Sequence, residues 1–466
     1  MRVFSVKSNQ LRFGDRLVPS FYYYTEIIKE QNQQQGIEYI KLGKYATVSD
    51  GEHSAIPRNN AFGVRYLYGR NIKEGVIDFD PISDDSYIDA IDYDRFNRCH
   101  IKQDDVLIAI YGTVGKSAVY KSEYVGKAGI PRHISNISLK SNAPITPEYL
   151  TSFFRSKYGK WQMFSMMTGN IQQLLSLKNI REYDVPIVEA RVMERITSLE
   201  QQALKYEIEA QKKIKQAQEI FYSGLKFEVG SVKRDFCFTV SYSQLCEDNI
   251  WSTSYYDKLY VKMAAAIEKY NGVKTLRDLV DDIHGVEVGS ENYKEFIERD
   301  SSDKPFIRTS DIVNFEADLY PDYYIDVSVS DDINQDVKPG DVIFTKDGKV
   351  GCVGMITASD DLILSSGIER LRLKPSAIQE GYTQEYLFTA LSVPEVGLYA
   401  AKRRTVIAST IPHLRVDRLK DIEIPIMEQP IIDAITVLIK DAFSLKSKRK
   451  ALIKESDTML ENYFMR

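Results

Sequence analysis

Residues 105–120 read DVLIAIYGTVGKSAVY, and residues 341–356 read DVIFTKDGKVGCVGMI. In each stretch, a run of β-branched and apolar residues is interrupted by a G-x-x-G turn and followed by a second short apolar run. This pattern predicts a strand, a tight turn and a second strand. The two stretches share an aspartate and two glycines at one common offset, which are Asp105, Gly112 and Gly115 in the first and Asp341, Gly348 and Gly351 in the second. The chain therefore contains the same predicted hairpin twice.

The similarity extends well beyond the hairpins and keeps the same order in both halves. Three further pairs of segments match: YLYGRNI (66–72) with FIRTSDI (306–312), ITPEYL (145–150) with YTQEYL (382–387), and DVPIVEARVMERI (184–196) with EIPIMEQPIIDAI (423–435). Several matches in register along two halves indicate an internal duplication, and such repeats have to be found before the organisation of a chain is interpreted.

Each half ends in a segment of different composition, rich in Glu, Gln, Lys and Ala, at residues 189–225 and 428–464. Apolar residues recur there at alternating steps of four and three, which predicts coiled-coil helices about 55 Å long. The first seam needs one extra residue between Ala210 and Ile214, a local stutter. The predicted seam residues are Val192, Ile196, Leu199, Tyr206, Ile214 and Phe221 in the first helix, and Ile431, Ile435, Leu438, Leu445, Leu452 and Met459 in the second.

Such helices can fold back on their own domains or pair with each other. Two equivalent helices with narrow apolar seams satisfy each other best as an antiparallel pair, so the duplication favours pairing. The predicted fold class is α+β, with two β-rich domains separated by two long antiparallel coiled-coil helices in a pseudo-twofold internal repeat. The predicted boundaries are 1–186 and 226–425 for the β-rich domains, and 187–225 and 426–466 for the helices.

Composition sets broad limits on a chain of 466 residues. An apolar content of 43% can build cores, and 61 basic against 66 acidic residues give a net charge of −5, which excludes a histone-like polycation but not local basic patches. The four cysteines form no C-x-x-C pair, which argues against a zinc ribbon and favours a reducing compartment. With no signal-like or membrane-spanning apolar run, we expect a cytoplasmic protein without membrane partners.

The common catalytic motifs are missing. A nucleotide-binding G-x-x-x-x-G-K-[ST] loop ending at Lys116 and Ser117 would need glycine at position 110, which is Ile110. The histidines are scattered, and no zinc-hydrolase, dinucleotide-binding or serine-hydrolase signature is present. The sequence therefore predicts a protein that is not an enzyme, with no catalytic residues and no metal site.

Basic and amide side chains around the predicted turns are candidates for DNA contact, because Arg reads guanine, Asn or Gln reads adenine, and Lys or Arg contacts phosphate. Two clusters are the best candidates, IPRHI at 130–134 and KRR at 402–404. The candidate DNA-binding residues are Arg58, Arg65, Arg70, Lys116, Arg132, His133 and Gln172 in the first half, and Arg308, Lys346, Lys349, Arg370, Lys402, Arg403 and Arg404 in the second.

These motifs together resemble the DNA-specificity subunits of type I restriction-modification systems over essentially the whole chain. The resemblance is carried by the paired G-x-x-G turns, by Glu148-Tyr149-Leu150 with Glu385-Tyr386-Leu387, and by the proline-led helix starts at 186–189 and 425–429. One departure is that the first copy continues Glu189-Ala190-Arg191, whereas the second keeps the family's Glu428-Gln429. This departure affects the detail of the helix start.

The resemblance implies that residues 1–186 and 226–425 are target-recognition domains, each reading one half of an asymmetric, bipartite DNA sequence. It implies that the helices set the spacer and dock two methyltransferase subunits, and that restriction-translocase subunits complete a phage-defence complex. This chain would then bind no cofactor, with S-adenosylmethionine, ATP and Mg on the partner subunits. The nearest alternative is the specificity subunit of a type IIB restriction-modification enzyme. The others are a coiled-coil scaffold that binds no DNA, and a stand-alone enzyme.

Overall fold

The computed structural model describes residues 21–28, 37–59, 62–79, 86–169, 173–233, 235, 237–299, 302–333, 335–408 and 411–464. The chain divides into two compact units. Unit 1 comprises Met1–Lys205 and Ala451–Arg466, and unit 2 comprises Tyr206–Lys450. Each unit therefore combines a β-rich part with a segment of both long helices. The predicted assignment of 1–186 and 226–425 as recognition domains concerns function and stays a prediction.

Within the residues that the structure describes, unit 1 contains ten strands and six short α-helices besides the helical stretch 21–28. The strands are β1 (Glu38–Lys41), β2 (Ala46–Asp50), β3 (Arg58–Asn59), β4 (Val64–Tyr66), β5 (Tyr87–Ile88), β6 (Val106–Ala109), β7 (Ser117–Val119), β8 (Ala128–Gly129), β9 (Ile134–Leu139) and β10 (Asp184–Ile187). The helices are Leu42–Tyr45, Ala90–Arg95, Ser122–Val125, Pro147–Arg155, Lys157–Met166 and Leu177–Arg181.

Unit 2 repeats this arrangement with additional strands. Its strands are β11 (Val273–Thr275), β12 (Val280–His284), β13 (Tyr293–Glu295), β14 (Lys304–Ile307), β15 (Ile312–Val313), β16 (Glu316–Ala317), β17 (Tyr323–Ile325), β18 (Val342–Thr345), β19 (Val353–Met355), β20 (Ile363–Leu364), β21 (Ile368–Leu373), β22 (Val406–Ala408), β23 (Ile411–His413) and β24 (Glu423–Pro425). Its shorter helices are Tyr242–Asp248, Lys258–Asn271, Leu276–Leu279, Val327–Ser330, Pro375–Gln379, Gln384–Ser392, Gly397–Arg404 and Val416–Leu419.

The sheet topologies of the two units are equivalent strand by strand. Unit 1 has sheets ordered β2-β9-β6-β7 and β3-β5-β4-β8 with a β1-β10 ribbon, and unit 2 has β12-β21-β18-β19 and β13-β17-β14-β20 with a β11-β24 ribbon. Even the parallel pairing at the end of the second sheet recurs, as β4 with β8 and β14 with β20. The predicted α+β class and its internal repeat are confirmed.

The hairpins form as predicted, and their turns depend on glycine. β6 pairs with β7 and β18 with β19, both antiparallel. The glycines between them have φ values of 76° at Gly112, 84° at Gly115, 62° at Gly348 and 94° at Gly351. Residues that carry a Cβ rarely adopt this left-handed backbone conformation, which explains why both copies have glycine at the same two positions.

The helix after each hairpin begins and is anchored in the same way in both units. Thr146 and Thr383 cap Pro147–Arg155 and Gln384–Ser392 by accepting a hydrogen bond from a backbone N–H. Tyr149 donates its hydroxyl to the Pro186 carbonyl over 2.9 Å, and Tyr386 donates to Pro425 over 2.6 Å. The E-Y-L match in the sequence therefore reflects a buried tyrosine that links this helix to the last strand of its unit.

The two long helices run over Ala190–Gly224 and Gln429–Phe464. Each begins three residues later than predicted, and in unit 1 the reason is that Ile187 still pairs with Glu38 in the β1-β10 ribbon. Ion pairs join the helices inside each unit: Arg195 to Glu455 in unit 1, and Glu207 to Lys446 and Lys213 to Asp441 in unit 2. As residue numbers rise along the first helix, the numbers of their partners on the second helix fall, so the two helices run antiparallel. The predicted antiparallel pairing is confirmed.

The buried seam differs from the predicted one because charged residues occupy some of its positions. Buried residues alternate at steps of three and four without a stutter: Met193, Ile196, Glu200, Ala203, Glu207, Ala210, Ile214, Ala217 and Phe221, and Ile432, Ile435, Ile439, Ala442, Lys446, Arg449, Ile453, Ser456 and Leu460. Of the predicted seam, Leu199 and Leu445 are also buried, whereas Val192, Tyr206, Ile431, Leu438, Leu452 and Met459 are half-buried. The prediction used apolar residues only, so it placed Leu199 and Tyr206 in the seam instead of Glu200 and Glu207. The extra residue before Ile214 follows from that substitution.

The helices contribute to the core of each unit. In unit 1, Ile196, Leu460 and Phe464 pack with Tyr149 and Phe153. In unit 2, Phe221 and Ile435 pack in one cluster with Phe344 and Tyr386. Across the residues that the structure describes, no helix combines the length and apolarity needed to cross a membrane.

Candidate nucleic-acid interface

The hairpin turn of unit 1 is held in place by contacts on two sides. Thr113 Oγ1 donates to the carbonyl of Gly69, 2.8 Å away, which ties the turn to the 3-10 helix Gly69–Asn71. Lys160 Nζ donates to the Gly115 carbonyl over 3.0 Å and is itself buried against Glu74. Side chains on this turn and on the 3-10 helix therefore share one fixed surface.

That surface carries interleaved aromatic and basic side chains. The guanidinium carbons of Arg58 and Arg70 lie 4.9 Å and 4.3 Å from the centre of the Tyr68 ring. The Tyr111 ring lies 5.6 Å from the imidazole of His133, and Arg132 next to it is exposed. We call these six residues, Arg58, Tyr68, Arg70, Tyr111, Arg132 and His133, the aromatic-basic face.

The charge state of His133 follows from its surroundings. Partial burial lowers its pKa below the usual value, and the nearby charges of Arg132 and Arg58 lower it further. The imidazole is therefore neutral at physiological pH, able to donate from one nitrogen and accept at the other. The positive charge of the face comes from its arginines.

This arrangement suits a nucleic acid chemically. An arginine stacked on a tyrosine loses less freedom on binding, and its planar N–H groups match phosphate oxygens or the O6 and N7 atoms of guanine. An exposed ring such as Tyr111 offers a surface for apolar or stacking contact with a base. The aromatic-basic face can therefore supply both phosphate and base-edge contacts.

The equivalent hairpin turn of unit 2 borders a cavity of about 580 Å³. The backbone N–H of Gly348 donates to the Pro412 carbonyl over 2.9 Å, and Asp347 contacts His413 across the same bridge. Tyr293, Arg308 and Asp347 are among the residues that line the cavity. A concave site with a few polar groups is the usual form of a recognition pocket.

Basic groups around this cavity contact carboxylates. Arg308 lies 4.2 Å from the Tyr323 ring and 3.5 Å from a carboxylate oxygen of Asp322. Lys346 Nζ and His284 Nδ1 both lie 2.6 Å from the carboxylate of the buried Glu369. We call Arg308, Asp347, His413, Lys346 and Glu369 the acid-paired face.

Two of the predicted DNA-binding residues are not on the surface. Lys116 and Arg370 are 8% and 2% exposed. Burial lowers the pKa of Arg370, with a further contribution from Arg372. Arg370 lies in β21 and Lys116 directly precedes β7, and neither side chain is available to contact DNA. Arg65 is half-buried, where its guanidinium donates to the Tyr87 hydroxyl over 3.1 Å.

The predicted KRR cluster at 402–404 ends the helix Gly397–Arg404. Arg403 donates to the Tyr255 carbonyl over 3.1 Å, and Arg404 donates to the Asp421 carbonyl over 2.9 Å. Both arginines thus connect parts of unit 2 to each other. Lys402 and Lys349 are half-exposed. Gln172 lies outside the described residues.

Five residues of the two faces were missed by the sequence prediction: Tyr68, Tyr111, Asp347, Glu369 and His413. Tyr68 lies two positions before Arg70 in YLYGRN, and Tyr111 directly precedes the turn glycine Gly112 in AIYGTVG. The alternation of aromatic and basic residues was the available signal, but a search for cations alone does not detect it. Asp347 and His413 are 66 positions apart and could be paired only once the fold was known.

One group in the described part of the chain has metal-ligand chemistry, formed by Asp282, His284 and Glu369 with donor atoms within 4.8 Å of one another. Lys420 lies 2.7 Å from Asp282, and Lys346 lies 2.6 Å from Glu369. The two carboxylates are therefore already neutralised by ammonium groups, which does not favour a cation there.

Comparisons with solved structures give matches of low identity. The S subunit of a type I restriction-modification system from M. genitalium is 11% identical, with a TM-score of 0.36, over 93% of this chain and 97% of that one. The HsdS subunit from Thermoanaerobacter tengcongensis is 14% identical, with a TM-score of 0.28, over 92% and 97%. No curated protein matches the sequence.

A family model gives the informative match. The type I restriction modification DNA specificity domain matches residues 272–455. This range contains the hairpin of unit 2, the acid-paired face and most of the second long helix. The family that the sequence motifs resembled is thereby confirmed for this part of the chain. Residues 272–455 are similar to the type I restriction modification DNA specificity domain, the family that the sequence motifs resemble.

Proposed function

We propose that the chain is the DNA-specificity subunit of a type I restriction-modification complex. The observation that carries the proposal is that one β frame occurs twice, each copy presenting a different set of side chains beside the same hairpin turn. The family match in the second copy supports a DNA-recognition role for that frame. Two unlike faces account for an asymmetric, bipartite target, with one half read by each copy.

The paired helices would set the spacer between the two half-sites and dock two methyltransferase subunits, with restriction-translocase subunits completing the complex. The chain itself would recognise DNA and not catalyse. S-adenosylmethionine, ATP and Mg would belong to the partner subunits. A cytoplasmic location accords with this role. A type IIB enzyme would use a similar specificity body, and the identity of the partner subunits distinguishes the two.

The test is methylome sequencing of cells with and without the gene for this chain. We expect an adenine mark in a bipartite, asymmetric sequence that is present only with the gene. Loss of the gene without loss of any such mark contradicts the proposal. A gel shift of the assembled complex on genomic fragments at low and high salt separates DNA recognition from a scaffold role, because DNA binding weakens steeply as salt rises.

A further inference from the structure

Six charged side chains are buried where both long helices meet the β-rich part of unit 2. They are Glu207 of the first helix, Lys446, Arg449 and Lys450 of the second, Glu316 of β16 and Asp360 of the loop before β20. No side chain among them is more than 6% exposed. We call this group, with three positive and three negative side chains, the buried charge cluster.

The contacts of the cluster join four separate segments of the chain. Lys446 lies 3.0 Å from Glu207 and 3.1 Å from Glu316. Arg449 contacts the same two carboxylates, at 3.5 Å and 3.1 Å. Lys450 lies 3.0 Å from Glu316 and 2.7 Å from Asp360, and also donates to the Ala317 carbonyl. Both helices and the β-rich part are thus connected through charge.

Glu316, which contacts all three basic side chains of the cluster, stays ionised at physiological pH. Burial opposes the ionisation of Glu316, but Lys446, Lys450 and Arg449 outweigh burial and lower its pKa to about 2. Buried ion pairs add little net stability compared with an apolar core, but an arrangement that leaves one charge unpaired is strongly disfavoured. The main effect of such a cluster is to exclude alternative arrangements.

At the seam position of Lys446, the heptads before and after carry apolar residues. One heptad before and after Lys446, the second helix has Ile439 and Ile453, both buried apolar residues. A shift by one heptad would place an isoleucine opposite Glu207 and leave that carboxylate buried without its partners. Such a shift is about 10 Å, the length of roughly three base pairs of DNA.

We propose that the buried charge cluster determines spacer specificity, by fixing the register of the two helices and the seat of the β-rich part of unit 2 on them. The inference rests on the proposed function and names the residues on which its spacer selectivity depends. A single buried polar residue is known to specify register in coiled coils at the expense of stability. Here six charged side chains would specify the register, and they would also fix the position of the β-rich part of unit 2 on the helices.

The test replaces the four central charges with apolar residues of similar size, as Glu207→Leu, Glu316→Leu, Lys446→Met and Arg449→Met together. Lys450 and Asp360 keep each other as partners. A milder variant, Glu207→Gln with Lys446→Gln, retains hydrogen bonding if the fourfold variant does not fold. The matched control is Lys213→Gln with Asp441→Asn, since that pair joins the same two helices at 3.1 Å but is partly exposed.

Each variant is assembled with its methyltransferase subunits, and methylation is measured on duplexes with the native spacer or a spacer roughly three base pairs shorter or longer. We expect wild type and control to strongly favour the native spacer, and the cluster variants to lose about tenfold or more of this preference. If the cluster variants fold and keep the wild-type preference for the native spacer, the inference is wrong but the proposed function stands. A wild-type complex that methylates no specific sequence overturns the proposed function and the inference with it.

Discussion

Unit 1 and unit 2 use the same frame to present different surfaces. Both have the same strand order, and both place a hairpin turn beside a short 3-10 helix. Where unit 1 has Tyr111 on the turn, unit 2 has Asp347, and where unit 1 has Tyr68 before the 3-10 helix, unit 2 has Arg308. The positions that shape the backbone are shared, and the positions that face outward differ. A duplicated recognition module can thus acquire a second specificity without a second fold.

The largest expected effects are on the shared frame. Gly115→Ala adds left-handed strain and puts a Cβ within 1.7 Å of the buried Met163 sulfur, so we expect a loss of roughly 3 kcal/mol in unfolding free energy. Gly112→Ala is the matched control, because the new Cβ has no neighbour within 4 Å and only strain of about 1 kcal/mol remains. Urea denaturation of both variants measures the difference.

If the two frames are equivalent, replacing the second turn glycine of unit 2 should also cost more stability than replacing the first. Gly351→Ala brings a Cβ within 2.9 Å of Leu398, whereas at Gly348 the nearest atom is 3.7 Å away. We therefore expect Gly351→Ala to lower stability more than Gly348→Ala. The opposite order in either unit would show that the two turns do not have the same structural role.

A change on one face should affect one half-site. We expect Arg70→Ala to weaken DNA binding by the complex by about 1–3 kcal/mol and to relax or weaken recognition of a single half-site. Arg308→Ala should act on the other half-site only. Binding titrations on duplexes mutated in one half or the other provide the readout. Equal relaxation of both half-sites by either variant would contradict two independent faces.

Removal of the anchoring hydroxyls should cost the two units similar amounts. Tyr149→Phe and Tyr386→Phe each remove one buried hydrogen bond to a proline carbonyl, which is worth about 1 kcal/mol. We expect each variant to fold and to unfold at a lower urea concentration than wild type. A large loss in one unit and none in the other would break the equivalence.

The smallest expected effect is a pH dependence confined to unit 1. The pKa of His133 is lowered in the folded protein, so the unfolded chain binds the proton more readily. Its contribution to stability is present above the ordinary histidine pKa, and it falls as pH decreases below about 6.5 toward the folded value. We expect His133→Gln to lose less stability than wild type between pH 7.5 and pH 5. Parallel losses in both proteins would assign the pH dependence to other groups.

Local patterns predicted the frame well for a physical reason. Left-handed turns require glycine, and long paired helices require a repeating seam, so Gly112, Gly115 and the heptads are readable in the sequence. The seam register was less predictable, because Glu207 and Lys446 are buried as members of an ion-paired cluster that the sequence does not reveal. A charge that is paired across the fold looks like a surface charge in the sequence.

The same difficulty explains the misplaced DNA candidates. Arg370 was chosen as a basic residue near a turn, but it lies within the central sheet with Asp341 as its nearest carboxylate, 3.9 Å away. Lys116 directly follows the turn glycine Gly115, but its side chain is only 8% exposed. Only tertiary contacts separate such structural cations from those that remain at the surface.

A domain exchange tests most directly whether the two recognition domains act independently. Residues 1–186 are replaced by the corresponding segment of another family member, and the methylome is sequenced in cells that carry the wild-type or the exchanged chain with the same partner subunits. We predict that one half of the modified sequence changes, while the other half and the spacer length are retained. A mark in which both halves change, or in which neither does, would contradict the account.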